Sequence, residues 1–277
     1  RRPPRSTLFP YTTLFRSGRE SNGNFTTGNY TNGAFDPFFW GSDYTETNAY
    51  NMAVSVPQDG IGVANLYGGR EMLADKLDTI FTTEGIYNGY NAVNGVGGIH
   101  EQKEAREVKL GQYGHSNQPS HHIPYMYLYS SRPWMTQKYV RDVLDRCYVG
   151  ASFGQGYIGD EDNGEMSAWY VLSSLGIYPL VMGSDEFAIG SPLFKEVTVN
   201  LENNKKLVVK ANNNSKENVY VDSMYLNGEK YDKTSIKYKD LINGGTIEFN
   251  MSSTPNKTRG LENGTFGKTT TDGDNAP

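Results

Sequence analysis

The sequence predicts a mainly α-helical fold followed by a small antiparallel β-sheet. From Thr45 to Tyr178 the apolar residues recur at the three- and four-residue spacing of helices. From Glu186 onward the spacing changes to alternation, which is typical of strands. The helical region contains both amphipathic helices and helices that are apolar nearly all round. We therefore expect a two-layered helical barrel, of which about three helical hairpins are present.

The outer layer of this barrel is predicted at residues 71–81 and 136–148, where apolar residues share one face of a helix. Four segments are apolar or small nearly all round and are predicted to form the inner layer. These inner segments are 48–56, 61–67, 122–129 and 166–175.

Alternating residues predict six strands after the helical region. The predicted strands are 186–190, 195–201, 205–211, 218–228, 234–238 and 244–251. Two Asn-Gly pairs, 227–228 and 243–244, predict tight turns between strands.

The chain divides into four predicted parts. Residues 7–17 resemble the in-frame translation of a sequencing-adapter oligonucleotide, and we expect 1–17 not to belong to the natural protein. Residues 18–185 are expected to be the C-terminal part of the barrel, and 186–256 the β region that closes it. The remaining 257–277 are polar and aperiodic, so we expect a disordered tail or a linker there.

Composition excludes several classes of protein. The chain has 277 residues with 26 Lys and Arg against 31 Asp and Glu, a formal net charge of −5. Its basic runs are short, so we expect no nucleic-acid partner. No window approaches the ~20 apolar residues that cross a bilayer, and we expect no membrane span. The single cysteine excludes an intrachain disulfide, while 20 tyrosines suit sugar-binding clefts as well as ordinary cores.

The first candidate functional residue is Glu46, in a polar segment that leads into an apolar helix. A carboxylate at this place can interact with the positive end of the helix dipole, or it can act as a general acid. The spacing alone favours the first of these roles.

Histidines and amides are concentrated between residues 112 and 122. We expect Ser120 to cap the next helix, which would place His121 and His122 in its first turn. Histidines aimed into a cleft from a helix end suit sugar hydroxyls. A zinc site is the weaker alternative, because the two histidines are adjacent and no cysteine or HExxH pattern accompanies them.

The strongest signal is the acidic run Asp160, Glu161 and Asp162, which precedes an apolar helix. A cation, hydrogen-bond donors or solvent must offset the mutual repulsion of these carboxylates. A solvated loop and a metal site both remain open. The EF-hand pattern is absent, and calcium is the favoured metal because oxygen ligands abound. Together with Glu46, the run supplies the two separated carboxylate segments that glycoside hydrolysis requires.

Three motifs, in order along the chain, connect the sequence with a known family. The string GDEDNGEMSAWYVLSSLGIYPL at 159–180 resembles the C-terminal signature of glycoside hydrolase family 92, the calcium-dependent exo-acting α-mannosidases. YTETNAYNMAVSVPQD at 44–59 resembles the segment around the family's catalytic acid. HSNQPSHHIPYMY at 115–127 resembles its polar segment. The similarity extends from about Phe35 to Asn256.

The resemblance implies an (α/α)6 barrel preceded by a β-sandwich domain, and calcium-dependent hydrolysis of terminal α-mannosyl linkages, such as α-1,2, in mannans or N-glycans, with inversion. It implies that Glu46 is the general acid and that Asp162, supported by Asp160, is the general base. The substrate-binding residues it implies are Asn48, Tyr50, Gln118, His121 and His122. The Ca²⁺ ligands it implies are Asp162, Asn48 and Gln118.

Some positions depart from the family pattern. Tyr50 stands where tryptophan is common, Gln118 where glutamate is common, and Glu165 where glutamine is frequent. The three carboxylates of the implied machinery remain, which favours an enzyme over a non-catalytic glycan-binding or surface module on the same fold. The sandwich and the earlier hairpins are missing, so this chain alone is expected to be inactive. We expect the parent protein to be secreted, periplasmic or at the cell surface.

Overall fold

The computed structural model describes residues 21–22, 36–41, 44–84, 99–150 and 154–261. The predicted adapter-derived segment 1–17 lies outside the described residues, as does most of the predicted tail. The first residues of that tail, 257–261, are described and contact the β region. Arg259 donates hydrogen bonds to the carbonyls of Tyr231, at 3.1 Å, and Lys233, at 3.0 Å.

Each of the six predicted helices has a counterpart, one of them a 3₁₀ helix, and the described residues form seven α-helices. They are α1 (Ala49–Met52), α2 (Gly60–Tyr67), α3 (Arg70–Thr82), α4 (His100–Glu107), α5 (Trp134–Cys147), α6 (Glu165–Ser174) and α7 (Tyr238–Ile242). Short 3₁₀ helices cover Pro57–Asp59, Gln118–Ser120 and Ile123–Tyr129. Helices α4 and α7 are additions that the sequence pattern did not predict.

The two predicted outer helices, α3 and α5, are confirmed as amphipathic helices. Leu73, Leu77 and Ile80 of α3 and Val143 of α5 are completely buried, because residues three or four apart lie on one face of a helix. Both helices pack against the 3₁₀ helix Ile123–Tyr129, in which every residue is buried. This segment is therefore the centre of the helical core.

All four inner segments differ in part from their predictions: 48–56 is helical only at Ala49–Met52, and Leu66 on α2 is 53% exposed. Residues 123–129 form a 3₁₀ helix with Pro124 in its first turn, where proline has no N–H to donate. The residue that precedes this helix is His122, and Ser120 makes no capping hydrogen bond to a described residue. Helix α6 is not buried all round, since Val171 is 56% exposed whereas Trp169 is fully buried.

All six predicted strands are present, and two short strands are added to them. The strands are β1 (Ile177–Tyr178), β2 (Glu186–Ile189), β3 (Glu196–Asn200), β4 (Lys206–Asn212), β5 (Tyr220–Leu226), β6 (Glu229–Lys230), β7 (Ser235–Lys237) and β8 (Gly245–Ser252). A three-stranded antiparallel sheet has the order β1-β2-β7, and a five-stranded sheet has the order β3-β4-β8-β5-β6.

The prediction of one antiparallel sheet is corrected by this topology. The described strands form two sheets, and the larger is mixed, because β4 and β8 pair in parallel with Leu207 opposite Gly245. Parallel neighbours require a crossover connection, which the chain from β5 to α7 provides here. Alternation along a strand identifies the strand but not its partner.

The two predicted Asn-Gly turns have different outcomes. Asn227 and Gly228 join β5 to β6 with φ angles of 53° and 86°, the positive pair that a tight hairpin turn requires. Asn243 instead ends α7, and Gly244 follows with a φ of 71°. The second pair is therefore a helix terminus and not a hairpin turn.

Helix α5 joins the helical core to the β region. Gln137 accepts a hydrogen bond from the backbone N–H of Val221 at 2.9 Å. The guanidinium of Arg141 donates to Asn214 Oδ1 at 2.7 Å and to the carbonyl of Pro192 at 2.9 Å. These bonds satisfy buried polar groups, so the helical core and the larger sheet are packed as one unit.

Candidate active-site cleft

A cleft of about 370 Å³ gathers polar side chains from four separate parts of the sequence. It is lined by Trp40, Glu46, Ile99, His100, Glu101, Ser116, Asn117, Asp160 and Asp162. Four of these residues are carboxylic acids. The fold thus brings Glu46 into the same cleft as Asp160 and Asp162, although more than a hundred residues separate them along the chain.

Glu46 lies before α1 in a left-handed backbone conformation. Its φ is 52°, and such a conformation costs a non-glycine residue about 1–2 kcal/mol. The amide of Asn117 donates to the carbonyl of Glu46, which holds the residue against another cleft-lining segment. Asn48, and not Glu46, caps α1, and the Glu46 side chain is exposed. Its position therefore suits a group that meets a ligand better than one that stabilises the helix.

Asn48 is buried, and its amide is used within the protein. Oδ1 accepts hydrogen bonds from the backbone N–H of Asn51, at 3.1 Å, and from its Nδ2, at 2.9 Å. Nδ2 of Asn48 donates to Gln112 Oε1 at 3.3 Å. Asn51 also accepts from the backbone N–H of Gly114 at 3.1 Å. This network fixes α1 against the segment that leads to Ser116.

Tyr50 and His122, two of the implied substrate-binding residues, also have partners inside the protein. The centroid of the Tyr50 ring lies 5.2 Å from that of the Phe38 ring, and Lys76 Nζ lies 5.4 Å from the centroid of the Tyr50 ring. Burial lowers the pKa of Lys76 to about 7. Nε2 of His122 lies 3.0 Å from the carbonyl of Val54, and burial lowers the pKa of His122 to about 4.

His121 belongs to a buried cluster of aromatic rings. Its ring stacks on that of His115 with centroids 4.6 Å apart. His115 lies between the hydroxyls of Tyr113, at 2.7 Å, and Tyr148, at 2.8 Å. Burial and the neighbouring His121 lower the pKa of His115 well below its usual value. Nδ1 of His121 faces Glu165 Oε1 at 3.1 Å, so the cluster is tied to the first turn of α6.

The middle residue of the acidic run has a structural role. Glu161 accepts hydrogen bonds from the backbone N–H groups of Met166, at 3.1 Å, and Ser167, at 2.8 Å, in the first turn of α6. These N–H groups have no partner within a helix, and the positive end of the helix dipole favours a carboxylate there. Hydrogen-bond donors therefore offset the charge of Glu161.

The outer two residues of the run line the cleft instead. Asp160 Oδ2 lies 3.5 Å from His100 Nε2, and its backbone carbonyl accepts a hydrogen bond from Gln118 Nε2 at 3.3 Å. Asp162 is exposed at the cleft surface. Gln118 thus reaches the acidic run through the backbone of Asp160.

His100 and Glu101 are cleft residues that sequence reasoning missed. They open α4, whose HEQKEARE sequence is typical of a solvated helix of alternating charge. The Glu101 side chain is only 17% exposed, and burial raises the pKa of Glu101. The sequence offers one indication that these residues belong to the cleft, namely that this charged helix lies directly before the polar segment at 112–122.

The helices of the described ranges are all too short or too polar to cross a bilayer. This finding concerns the described residues alone.

Comparison with known proteins gives consistent matches. The glycosyl hydrolase family 92 catalytic domain matches residues 6–253. A family GH92 α-mannosidase from Bacteroides thetaiotaomicron, solved in complex with mannoimidazole, has a TM-score of 0.78 and 32% identity, over 96% of this chain and 34% of that chain. A GH92 inverting mannosidase from the same organism has a TM-score of 0.74 and 34% identity, over 94% and 34% of the two chains.

An uncharacterized secreted glycosidase of Arthroderma benhamiae is 26% identical over 212 residues, which cover 74% of this chain and 23% of the relative. The chain thus spans about a third of the length of the solved structures and less of the curated relative. The family match covers most of the 277 residues and contains the cleft described above. This chain belongs to glycosyl hydrolase family 92.

Proposed function

We propose that this chain is part of an exo-acting α-mannosidase that hydrolyses terminal α-mannosyl linkages, such as α-1,2, of mannans or N-glycans. The observation that carries the proposal is the cleft that Glu46, Asp160 and Asp162 line together. Carboxylates from two segments are what glycoside hydrolysis requires. The similarity to a mannosidase solved with mannoimidazole supports a mannose-containing substrate, and the similarity to an inverting mannosidase supports inversion.

In the proposed reaction Glu46 donates a proton to the oxygen of the leaving sugar. Asp162 accepts a proton from the water that attacks the anomeric carbon, and Asp160 supports it from the same loop. The exposed position of Glu46 and Asp162 at the cleft surface suits contact with a substrate and with water. Burial raises the pKa of Glu101, which lines the same cleft.

We include calcium in the proposal because the family resemblance implies it. The cleft is rich in oxygen atoms, and calcium prefers carboxylate and amide oxygens. Of the three expected ligands, only Asp162 lines the cleft, and the amide of Asn48 is bonded to Asn51 and Gln112. The described residues also contain no group of three His, Cys, Asp or Glu side chains that could hold a metal. They do not by themselves form a calcium site, so no step above passes through the ion.

We also propose that the parent protein has a complete (α/α)6 barrel and an N-terminal β-sandwich, and that it is secreted. The packing of α3 and α5 around an inner segment supports the barrel. The name of the fungal relative, a secreted glycosidase, supports secretion.

The test is release of mannose from α-mannobioses by the full-length protein, with product stereochemistry followed by NMR. We expect inversion, and we expect Asp162→Asn to lower kcat by about 100-fold or more, as loss of a general base does. Glu107→Gln, at a residue 73% exposed on α4, is the matched control and should leave kcat unchanged. Wild-type activity in Asp162→Asn or a product of retained configuration would overturn the mechanism. Activity that is insensitive to EDTA would show that the mechanism does not require calcium.

A further inference from the structure

We propose that His100 is a positioning residue that holds the carboxylate of Asp160, and with it the acidic run, in place at the cleft. The inference rests on the proposed function, because it assigns a role within the same site. It concerns a residue for which neither the sequence motifs nor the family resemblance supplies a role.

The geometry of the His100 ring is the first observation. Nε2 lies 3.5 Å from Asp160 Oδ2, and Nδ1 lies 3.3 Å from Glu104 Oε1. Nε2 is also 3.5 Å from Glu101 Oε1. Because the two ring nitrogens point in fixed directions, a partner at Nδ1 orients Nε2. Glu104 therefore aims the ring at the acidic run.

The position of Glu104 is the second observation. It lies one helical turn after His100 on α4, with its side chain 28% exposed. Its second oxygen, Oε2, is buried without a hydrogen-bond partner in the described part of the chain. Leaving such an oxygen unpaired is unfavourable. Among the described residues, the Glu104 carboxylate thus makes its hydrogen bond through Oε1, to His100 Nδ1.

Asp160 itself needs an external partner to keep one orientation. Its side chain is 74% exposed, and an exposed carboxylate in a loop keeps most of its rotational freedom. Gln118 binds the backbone carbonyl of Asp160, and Gln155 binds that of the preceding Gly159. The backbone is therefore held by amides, whereas the carboxylate is held by His100.

The consequence for catalysis is specific. Asp160 and Asp162 lie in the same short loop and line the same cleft. A misplaced Asp160 would support the general base less well without removing any group that binds the sugar. Loss of His100 should therefore affect kcat more than KM.

The kinetic test uses the full-length protein with His100→Ala, Asp160→Asn and the double variant. We expect His100→Ala to lower kcat by about 10- to 100-fold, the range found when a residue that orients a metal-binding side chain is lost. We expect His100→Gln, which keeps an N–H donor, to recover part of the loss. The double variant should be no worse than Asp160→Asn alone, because the two residues act together. Additive losses, or an effect on KM alone, would overturn the inference.

A second measurement does not depend on activity. The imidazole ¹⁵N signals of His100 should shift at Nε2 in Asp160→Asn and at Nδ1 in Glu104→Gln, and should stay in place in Glu107→Gln. Unchanged Nε2 signals in Asp160→Asn would overturn the inference. If the wild-type protein has no mannosidase activity, the proposed function fails, and these signals alone decide whether His100 holds Asp160.

Discussion

The carboxylate of Glu161 accepts a hydrogen bond from the backbone N–H of Ser167 at 2.8 Å, and this contact gives Glu161 a different role from its acidic neighbours. A second bond, from the N–H of Met166 at 3.1 Å, joins the same carboxylate to the start of α6. Glu161 thus stabilises the helix that follows the loop. Asp160 and Asp162, which flank Glu161 in the sequence, line the cleft instead.

Replacing Glu161 should therefore cost stability. We expect Glu161→Ala to lower the free energy of unfolding by about 1 kcal/mol, the usual effect of losing a side chain that caps a helix. Urea denaturation measures the change. Glu202→Ala, at an exposed carboxylate in the β region, is the control and should have little effect. Equal stability of the two variants would show that the contacts at α6 contribute nothing.

The same contacts give stability a pH dependence with a defined sign. Burial acts to raise the pKa of Glu161, but the hydrogen bonds from Ser167 and Met166 outweigh it and hold this pKa below its usual range. Stability from Glu161 is then complete above the unfolded pKa of about 4.3 and is lost as the pH falls through the folded pKa. Glu161→Gln should flatten this part of the acid-denaturation curve. An unchanged curve would contradict the assignment.

Arg132 should be a centre of stability in the helical core. Its guanidinium contacts Asp75, at 2.7 Å, and also Glu71 and Asp78, all on α3. A single ammonium group cannot reproduce several planar contacts. We expect Arg132→Lys to lower the free energy of unfolding by about 1 kcal/mol, a value that allows for solvent screening of partly exposed pairs.

The control for Arg132 is Lys138, which contacts a single carboxylate and also lies 4.0 Å from the centre of the Tyr139 ring. Lys138 contacts Asp142 at 3.0 Å on α5, and Lys138→Met should cost only about 0.3–0.5 kcal/mol. Chemical denaturation compares the two variants. A larger loss in Lys138→Met than in Arg132→Lys would show that the contacts of Arg132 with α3 are not a network.

His122 should make the protein less stable in mild acid. Burial lowers the pKa of His122 to about 4, whereas the unfolded chain takes up this proton near pH ~6.5. The unfolded state therefore binds the proton first, and stability falls as the pH drops from about 6.5 towards 4. We expect His122→Gln to lack this part of the slope in urea midpoints measured across the range. Parallel slopes in the two proteins would be the contrary result.

The sequence predicted the helices and strands of this protein better than their arrangement. Periodicity identified the buried face of α3, because the spacing of Leu73, Leu77 and Ile80 is set by the helix alone. It could not identify the parallel pairing of β4 with β8, which depends on the path of the chain between them. Periodicity also could not identify the solvent-facing side of α6, because the exposure of Val171 depends on how the helix packs in the folded protein.

The candidate site shows the same division. Motifs located Glu46, Asp160 and Asp162, and the fold brings them into one cleft. The sequence treated Glu161 as equivalent to its neighbours, because only the start of α6 distinguishes it. The sequence did not indicate His100, because Asp160, its contact in the cleft, lies far away along the chain.

The last prediction concerns Glu46 and the leaving group. A general acid matters most when the departing oxygen is a poor leaving group, because a sugar alkoxide needs a proton whereas p-nitrophenolate does not. In the full-length protein, we expect Glu46→Gln to lower kcat/KM on an α-mannobiose by about 100-fold or more, and to change hydrolysis of p-nitrophenyl α-mannoside far less. Glu107→Gln should leave both substrates unaffected, since Glu107 lies outside the cleft residues. Equal losses on the two substrates would mean that Glu46 supports binding or folding instead of protonating the leaving oxygen.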